Sequence, residues 1–159
     1  MSKLKLQDLI DAISLQFDDS NQLLDRNTGE IFLVSDEDMR LAENIHQDSD
    51  LSDLPDWQKE TLRLARDVIM QEGTGKYIEI PTKWQINEYR IMEKFCSTIS
   101  SERIQKNLYE SIRAKGAIRK FKNEVCRLNV ENIWYKYYEN ELKKIALEWC
   151  AANKIDFDE

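Results

Sequence analysis

The sequence contains very little glycine, proline and histidine: four Gly, two Pro and one His among 159 residues. Scarcity of the two residues that favour turns predicts few long irregular loops. With a single histidine and no paired cysteines, the usual zinc ligand sets are excluded. A Ser/His/Asp or Cys/His arrangement would have to use His46. Because His46 lies in an acidic stretch away from any apolar pattern, we do not expect catalysis to depend on it.

Cysteines are few, and long apolar runs are lacking. The three cysteines, Cys96, Cys126 and Cys150, are widely spaced in helical patterns, which favours reduced thiols that serve as small core residues. No apolar run approaches the roughly 20 residues that a membrane-spanning helix needs. Asp8 and Asp11 interrupt the N-terminal stretch where a secretory signal requires an apolar core. We therefore predict a cytoplasmic protein that makes no membrane contact.

Composition and charge limit the class of protein further. A chain of 159 residues fits one domain, and 42% apolar with 33% charged residues is typical of a helix-rich globular protein. The formal net charge of −7 disfavours general attraction to nucleic acid, although it leaves room for a local basic site. We predict a single α+β domain over residues 1–159, in which residues 35–56 form an acidic connector with the composition of a mobile segment.

Apolar periodicity and turn signals predict the elements of an α+β fold. Residues 6–13 show the helical spacing i, i+3, i+4, i+7. The stretch QLLDRNTGEIFLV has two apolar runs around a turn in which Gly29 can adopt positive φ, which predicts a β-hairpin. Residues 77–80 alternate as a short strand that Pro81 closes. We expect this strand and the hairpin to form a small antiparallel sheet, with a mainly helical C-terminal half after it.

The stretch NIWYKYYENELKKIALEWC, residues 132–150, concentrates aromatic side chains in the last predicted helix. Helical spacing predicts a core face made of Val130, Trp134, Tyr138, Leu142, Ile145 and Trp149. A second apolar side contains Ile133, Tyr137 and Leu147, and a narrow solvated strip contains Lys136, Glu139, Lys143 and Cys150. A helix that is apolar almost all round is packed on two sides. The second side therefore predicts contact with another element, with an unknown protein partner, or with a second copy.

One basic cluster stands out in this acidic protein. The segment RAKGAIRKFKNEVCR has no acid before Glu124, and its cations are Arg113, Lys115, Arg119, Lys120, Lys122 and Arg127. If Gly116 ends one helix, Arg119 and Lys120 lie in the first turn of the next, where cations oppose the positive helix end. Cations beside free N–H groups at a helix start predict an anion-binding site. In the alternative, the helix runs through Gly116, or the bases are solvated and pair with Glu110 and Glu124.

Other motifs give weaker signals. GTGK at 73–76 lacks the spacing of a phosphate-binding loop and has Tyr77 in place of a magnesium-binding hydroxyl, so it predicts the end of a helix. Acids at 36–38 and 48–53 could hold a hard cation weakly, but they lack the glycine turn and terminal glutamate of a calcium loop. We predict no cofactor and no metal site.

Four segments resemble a bacterial family of uncharacterised proteins: YIEIP, EYRIMEKFC, GAIRKFKNEV and WYKYYENELKKIALEWCAANKI. The residues that carry the resemblance are Glu88, Tyr89, Met92, Phe95, Gly116, Ala117, Arg119, Phe121, Trp134, Tyr135, Ala146, Glu148 and Trp149. The hairpin also resembles the family's Asp-x-x-Thr-Gly-Glu pattern. Two residues depart from the family: Ile118 replaces an aromatic residue and Cys150 a leucine. The resemblance implies an α+β bacterial cytoplasmic protein and supplies no activity.

These observations favour a non-catalytic protein-interaction or regulatory module. The partner would be an unknown protein or a second copy, bound through the C-terminal helix. One alternative is anion or nucleic-acid binding through the basic segment 113–127, with nucleic acid the less favoured ligand. Another is a carboxylate-based enzyme that uses a metal near residues 36–38.

Overall fold

The computed structural model describes residues 3–46, 51–113 and 115–159, so that residues 47–50 of the acidic segment lie outside the described part. The helices are α1 (Leu6–Ser14), α2 (Asp36–Ala42), α3 (Asp56–Met70), α4 (Lys83–Ile86), α5 (Glu88–Thr98), α6 (Glu102–Ile112), α7 (Ala117–Arg127) and α8 (Glu131–Asn153). The strands are β1 (Leu4–Lys5), β2 (Ser20–Asp25), β3 (Ile31–Ser35), β4 (Tyr77–Glu79) and β5 (Phe157–Asp158). The predicted α+β class, with a small antiparallel sheet and a helical C-terminal half, is confirmed.

The chain divides into two compact units. One contains residues 1–80 and 149–159, and the other contains residues 81–148. The sheet belongs to the first unit, and helices α4 to α7 with most of α8 belong to the second. The single domain expected over residues 1–159 stays a prediction.

The sheet of the first unit has the strand order β3-β2-β4, and both pairings are antiparallel. The expected hairpin is therefore present, and the strand after residue 76 pairs with it as expected. Gly29 has φ +77°, and a Cβ at this position would lie 2.7 Å from the carbonyl carbon of Lys3. Glycine at this position therefore permits both the positive φ of the turn and the close approach of the backbone at the start of β1. The two-residue strands β1 and β5 pair in parallel, and such short strands carry no periodic signal in the sequence.

Part of the expected acidic connector is a packed helix. Helix α2 begins after Ser35, whose hydroxyl accepts a hydrogen bond from the N–H of Asp38 at 3.0 Å. The acidic side chains in the first turn of α2 stabilise the helix, because they lie at its positive end. Ala42 at the end of α2 is buried with Val34 and Ala65 in the core of this unit. This helix was not predicted from the sequence, because the many acidic residues of the segment are typical of a solvated connector.

Helix α3 ends at Met70, just before the GTGK turn that was expected to stop it, and Gly73 and Gly75 in this turn both have positive φ. Asp67, in α3 before this turn, accepts hydrogen bonds from two residues after it: the Tyr77 hydroxyl, and Lys76 Nζ at 2.9 Å. The bond from Tyr77, and then that from Lys76, holds the pKa of Asp67 below its ordinary value. The carboxylate therefore ties α3 to the start of β4.

The core of the second unit is an aromatic cluster. The ring of Trp134 lies 5.2 Å from that of Phe95 and 4.8 Å from that of Phe121, and both contacts are edge-to-face. All three side chains are buried, and edge-to-face pairs add about 0.5–1.5 kcal/mol each beyond their buried area. The cluster joins α5, α7 and α8 within this unit.

The buried residues of α8 differ in part from those of the predicted core face. Val130, Trp134 and Leu142 are buried as expected, whereas Tyr138, Ile145 and Trp149 are half-buried. Ala146 and Cys150 are buried, so the placement of Cys150 in the solvated strip was wrong. Trp134 and Cys150 lie about 160° apart around an ideal helix. The buried side of α8 therefore changes along its length, which a single straight stripe does not describe.

We expect Trp134→Ala to lower the free energy of unfolding by about 3–5 kcal/mol, because it removes the centre of the aromatic cluster. Its neighbour Tyr135 is 60% exposed, so Tyr135→Ala serves as the matched control and should change stability by less than about 0.5 kcal/mol. Urea unfolding followed by circular dichroism at 222 nm measures both. Equal losses for the two variants would contradict the assignment of Trp134 to the core.

The Asp67 network predicts a dependence of stability on pH. Because the pKa of Asp67 is lowered by folding, its contribution is present above the unfolded pKa of about 3.9 and is lost as pH falls through the lower folded pKa. The contribution should be less than about 1 kcal/mol, since the pair is partly exposed. Asp67→Asn should remove this contribution at pH 7, and the free energy of unfolding of the variant should change less with pH below pH 5. Glu139→Gln, which removes an exposed acid from the middle of α8, is the matched control and should change the free energy of unfolding, measured in urea at each pH, by less than about 0.5 kcal/mol.

Candidate functional site

The corner between α6 and α7 (the α6–α7 corner, residues 113 and 115–120) is built around a helix break. Helix α6 ends at Ile112 and α7 begins at Ala117, so the alternative of one helix running through Gly116 is wrong. Gly116 has φ +71° and no side chain to cap the helix. The first hydrogen bond of α7 runs from the N–H of Lys120 to the carbonyl of Gly116, at 3.0 Å. The N–H groups of Ala117, Ile118 and Arg119, which precede Lys120 in the first turn of α7, therefore have no acceptor within the helix and lie at its positive end.

The predicted cations divide into paired and unpaired sets. Lys122 Nζ lies 3.3 Å from Glu88 Oε1. Arg127 binds both carboxylate oxygens of Glu124, at 2.9 and 2.8 Å, and this lowers the pKa of Glu124 and raises that of Arg127. The remaining cations are exposed and make no ion pair with any residue in the described part of the chain: Arg113, Lys115, Arg119 and Lys120. The structure thus concentrates unpaired positive charge at the α6–α7 corner.

An apolar cleft (the α5–α7 cleft) lies beside these cations. It has a volume of about 770 Å³ and is lined by Tyr89, Gly116, Ala117, Ile118, Arg119, Lys122 and Asn123. Tyr89 is 42% exposed and Ile118 is 43% exposed, so two large apolar side chains are open to solvent in the lining of one cleft. The sequence reasoning did not place Tyr89 in a site, because helical spacing alone assigned it to the packing of α5.

A more polar hollow borders the α6–α7 corner on its other side. It is lined by Asn107, Glu110, Ser111, Lys120, Asn123, Glu124 and Arg127. Glu110 and Glu124 lie here among the cations, and Glu124 is already paired with Arg127. The basic surface is therefore bounded by acids rather than continued along α7.

The predicted partner face of α8 is not uniform in the structure. Ile133 is 56% exposed, whereas Tyr137 is half-buried with its ring 5.4 Å from that of Phe95. Leu147 is also half-buried and lies about 21 Å from Ile133 along the helix. The ion pair of Glu141 and Lys144, at 3.1 Å, lies between the two ends. Ile133 alone among the predicted residues of this face is widely open.

The side chains considered for catalysis are dispersed. His46 accepts a hydrogen bond through its backbone carbonyl from Arg66 Nη2 at 3.0 Å. Asp36 accepts one from Asn21 at 3.2 Å, at the start of α2. In the described ranges no three or more His, Cys, Asp or Glu side chains form a group suited to a metal ion.

The cysteines do not all occupy the core. Cys96 and Cys150 are buried, and burial raises the pKa of the Cys96 thiol to about 11. Cys126 is exposed, so its expected core position was wrong. Its thiol donates to Glu131 at 3.5 Å, and this contact raises its pKa. A raised pKa lowers the thiolate fraction, which makes Cys126 a poor nucleophile.

Comparison with known proteins identifies the family. The Uncharacterised protein family (UPF0158) matches residues 2–158. The chain belongs to UPF0158. This confirms the resemblance to an uncharacterised family, and it extends the match over nearly the whole chain. No curated protein and no solved structure matches this member of UPF0158. Throughout the described ranges of the UPF0158 chain, no helix is both long and apolar enough to cross a membrane.

Reversing the charge of Arg119 at the start of α7 should increase the stability of the protein. Arg119 lies in the first turn of α7, which contains no acid, so a cation there opposes the helix dipole. We expect Arg119→Glu to raise the free energy of unfolding by about 0.3–1 kcal/mol. Lys143→Glu, an exposed site within α8, makes the same change of charge and should alter stability by less than about 0.5 kcal/mol. Urea midpoints compare the two; a loss of stability in Arg119→Glu would contradict this account.

Proposed function

We propose that the protein is a non-catalytic interaction module that binds a negatively charged surface of its partner through the α6–α7 corner. The observation that carries this proposal is the set of exposed cations without an ion pair in the described ranges: Arg113, Lys115, Arg119 and Lys120. In a protein of net charge −7, acids are abundant, yet Lys122 and Arg127 are the only cations of the predicted cluster that pair with one in the described part of the chain.

The position of these cations also has an energetic cost. Arg119 and Lys120 occupy the first turn of α7, where a cation costs up to about 1 kcal/mol and an acid or a capping side chain would stabilise the helix. Folding alone therefore gives no reason for basic residues in this place. An anionic group of a partner would remove the cost, because it would lie at the positive helix end among the cations.

Charge reversal at the α6–α7 corner tests the proposal. The probes are a fluorescein-labelled 12-residue glutamate peptide and a 12-nucleotide oligothymidylate, measured by anisotropy at low salt. We expect binding of at least one probe to weaken with added salt and to fall at least about tenfold in Arg119→Glu/Lys120→Glu. Arg103→Glu/Lys106→Glu is the matched control, since it reverses one exposed Arg and one exposed Lys on α6.

The outcomes separate the proposal from its alternatives. Absence of binding to both probes at low salt would remove the proposal, as would equal losses in the test and control variants. A variant Ile133→Asp examines the exposed end of the α8 face in the same assay and in sedimentation. If self-association is found and only Ile133→Asp abolishes it, the contact belongs to the α8 face instead.

A further inference from the structure

The α5–α7 cleft adds an apolar element to the basic α6–α7 corner. Tyr89 of α5 and Ile118 of α7 line the cleft and are each more than two fifths exposed, and the backbone of Gly116 and Ala117 completes its lining on the α7 side. Because glycine and alanine carry so little side chain, a hollow remains between the two larger residues. The cleft volume of about 770 Å³ lies in the range of cavities that hold a bound group.

Charge complementarity indicates the sign of the group that binds there. Arg119 lines the cleft itself and is unpaired in the described part of the chain. Lys115 and Lys120 lie within four residues of Arg119 and are exposed, and neither makes an ion pair with a described residue. Lys122 lines the cleft as well, but Glu88 already neutralises it at 3.3 Å. An occupant of the cleft would therefore place its apolar part against Tyr89 and Ile118, and its negative charge beside Arg119.

We infer that the α5–α7 cleft binds an acidic peptide segment of a partner protein that inserts an aliphatic or aromatic side chain between Tyr89 and Ile118. This inference rests on the proposed function and names the partner class for the same surface. A short peptide fits the limited extent of the positive charge, because Glu110 and Glu124 border it on the side of the polar hollow. A nucleic-acid strand needs a basic groove that continues along its backbone and several rings on which bases stack. Tyr89 is the single ring in the lining of this cleft.

The expected contribution of an inserted apolar side chain to the binding affinity determines which peptides are compared. Full burial of a leucine side chain is worth roughly a tenfold to hundredfold change in affinity. The probes are two fluorescein-labelled 12-residue peptides, one of glutamates with two leucines and one in which alanines replace the leucines. A 12-nucleotide oligothymidylate is the third probe. We expect the leucine peptide to bind at least about tenfold more tightly than the alanine peptide, and both to bind more tightly than the oligonucleotide.

Matched substitutions locate the apolar contact. Ile118→Ser should reduce the preference for leucine over alanine to less than about threefold, because it removes one wall of the cleft. Leu41→Ser changes a similarly exposed aliphatic residue on α2, outside both the cleft and the α8 face, and should leave the preference unchanged. Tyr89→Ala on α5 is a second test of the cleft, and circular dichroism verifies that each variant is folded.

Each result has a distinct meaning. Equal binding of the two peptides, with loss of both in Arg119→Glu/Lys120→Glu, would overturn this inference and leave the proposed function standing. Tighter binding of the oligonucleotide would overturn the choice of a peptide. A preference that survives both Ile118→Ser and Tyr89→Ala would overturn the assignment to this cleft. If none of the three probes binds, the proposed function fails together with the inference.

Discussion

The edge-to-face packing of Phe95, Phe121 and Trp134 is the interaction on which the candidate site depends. Phe95 belongs to α5 and Phe121 to α7, and Trp134 of α8 contacts both rings. Because rigid rings fix the spacing of the helices that carry them, they also fix Tyr89 and Ile118, which lie within two turns of the cluster on α5 and α7. The two large apolar residues that line the cleft are exposed, whereas the rings that hold their helices together are buried.

The start of α7 shows how stability and binding compete within one short segment. A helix start is most stable with a capping side chain and an acid in its first turn. Here Gly116 supplies the sharp change of direction but no cap, and Arg119 and Lys120 supply charge of the unfavourable sign. The edge-to-face cluster compensates for this, because it anchors the same helix through Phe121. A well-packed interior thus permits a surface that local preferences alone would disfavour.

Much of the fold could be predicted from the sequence, because periodicity and turn residues report on local structure. The hairpin at Gly29, the strand before Pro81 and the helical second half followed from these signals. Helix α2 was missed because its acids resembled a solvated connector, although they stabilise its first turn. The residue type of Cys150 indicated burial, but its position on a helical wheel did not, because the buried side of α8 changes along its length. Such a change depends on which elements pack on each end, and a helical wheel contains no information about that.

The candidate site could be predicted in part for the same reason. The basic segment is contiguous in sequence, so its charge was visible, and Gly116 indicated where the helix would break. Which cations are paired was not visible, since Glu88 reaches Lys122 from another helix. Tyr89 shows the limit most clearly: an aromatic residue at helical spacing looks the same in sequence whether it faces a core or a cleft.

The close approach at Gly29 links distant parts of the first unit. A methyl group added there would meet the backbone of Lys3 and Leu4 rather than a flexible side chain, so relief would require the whole first strand to shift. Since Leu4 is paired with Phe157 through β1 and β5, the displacement would pass to the last residues of the sequence. A position without a side chain in the hairpin turn thus allows β1 to take the place in which it pairs with β5.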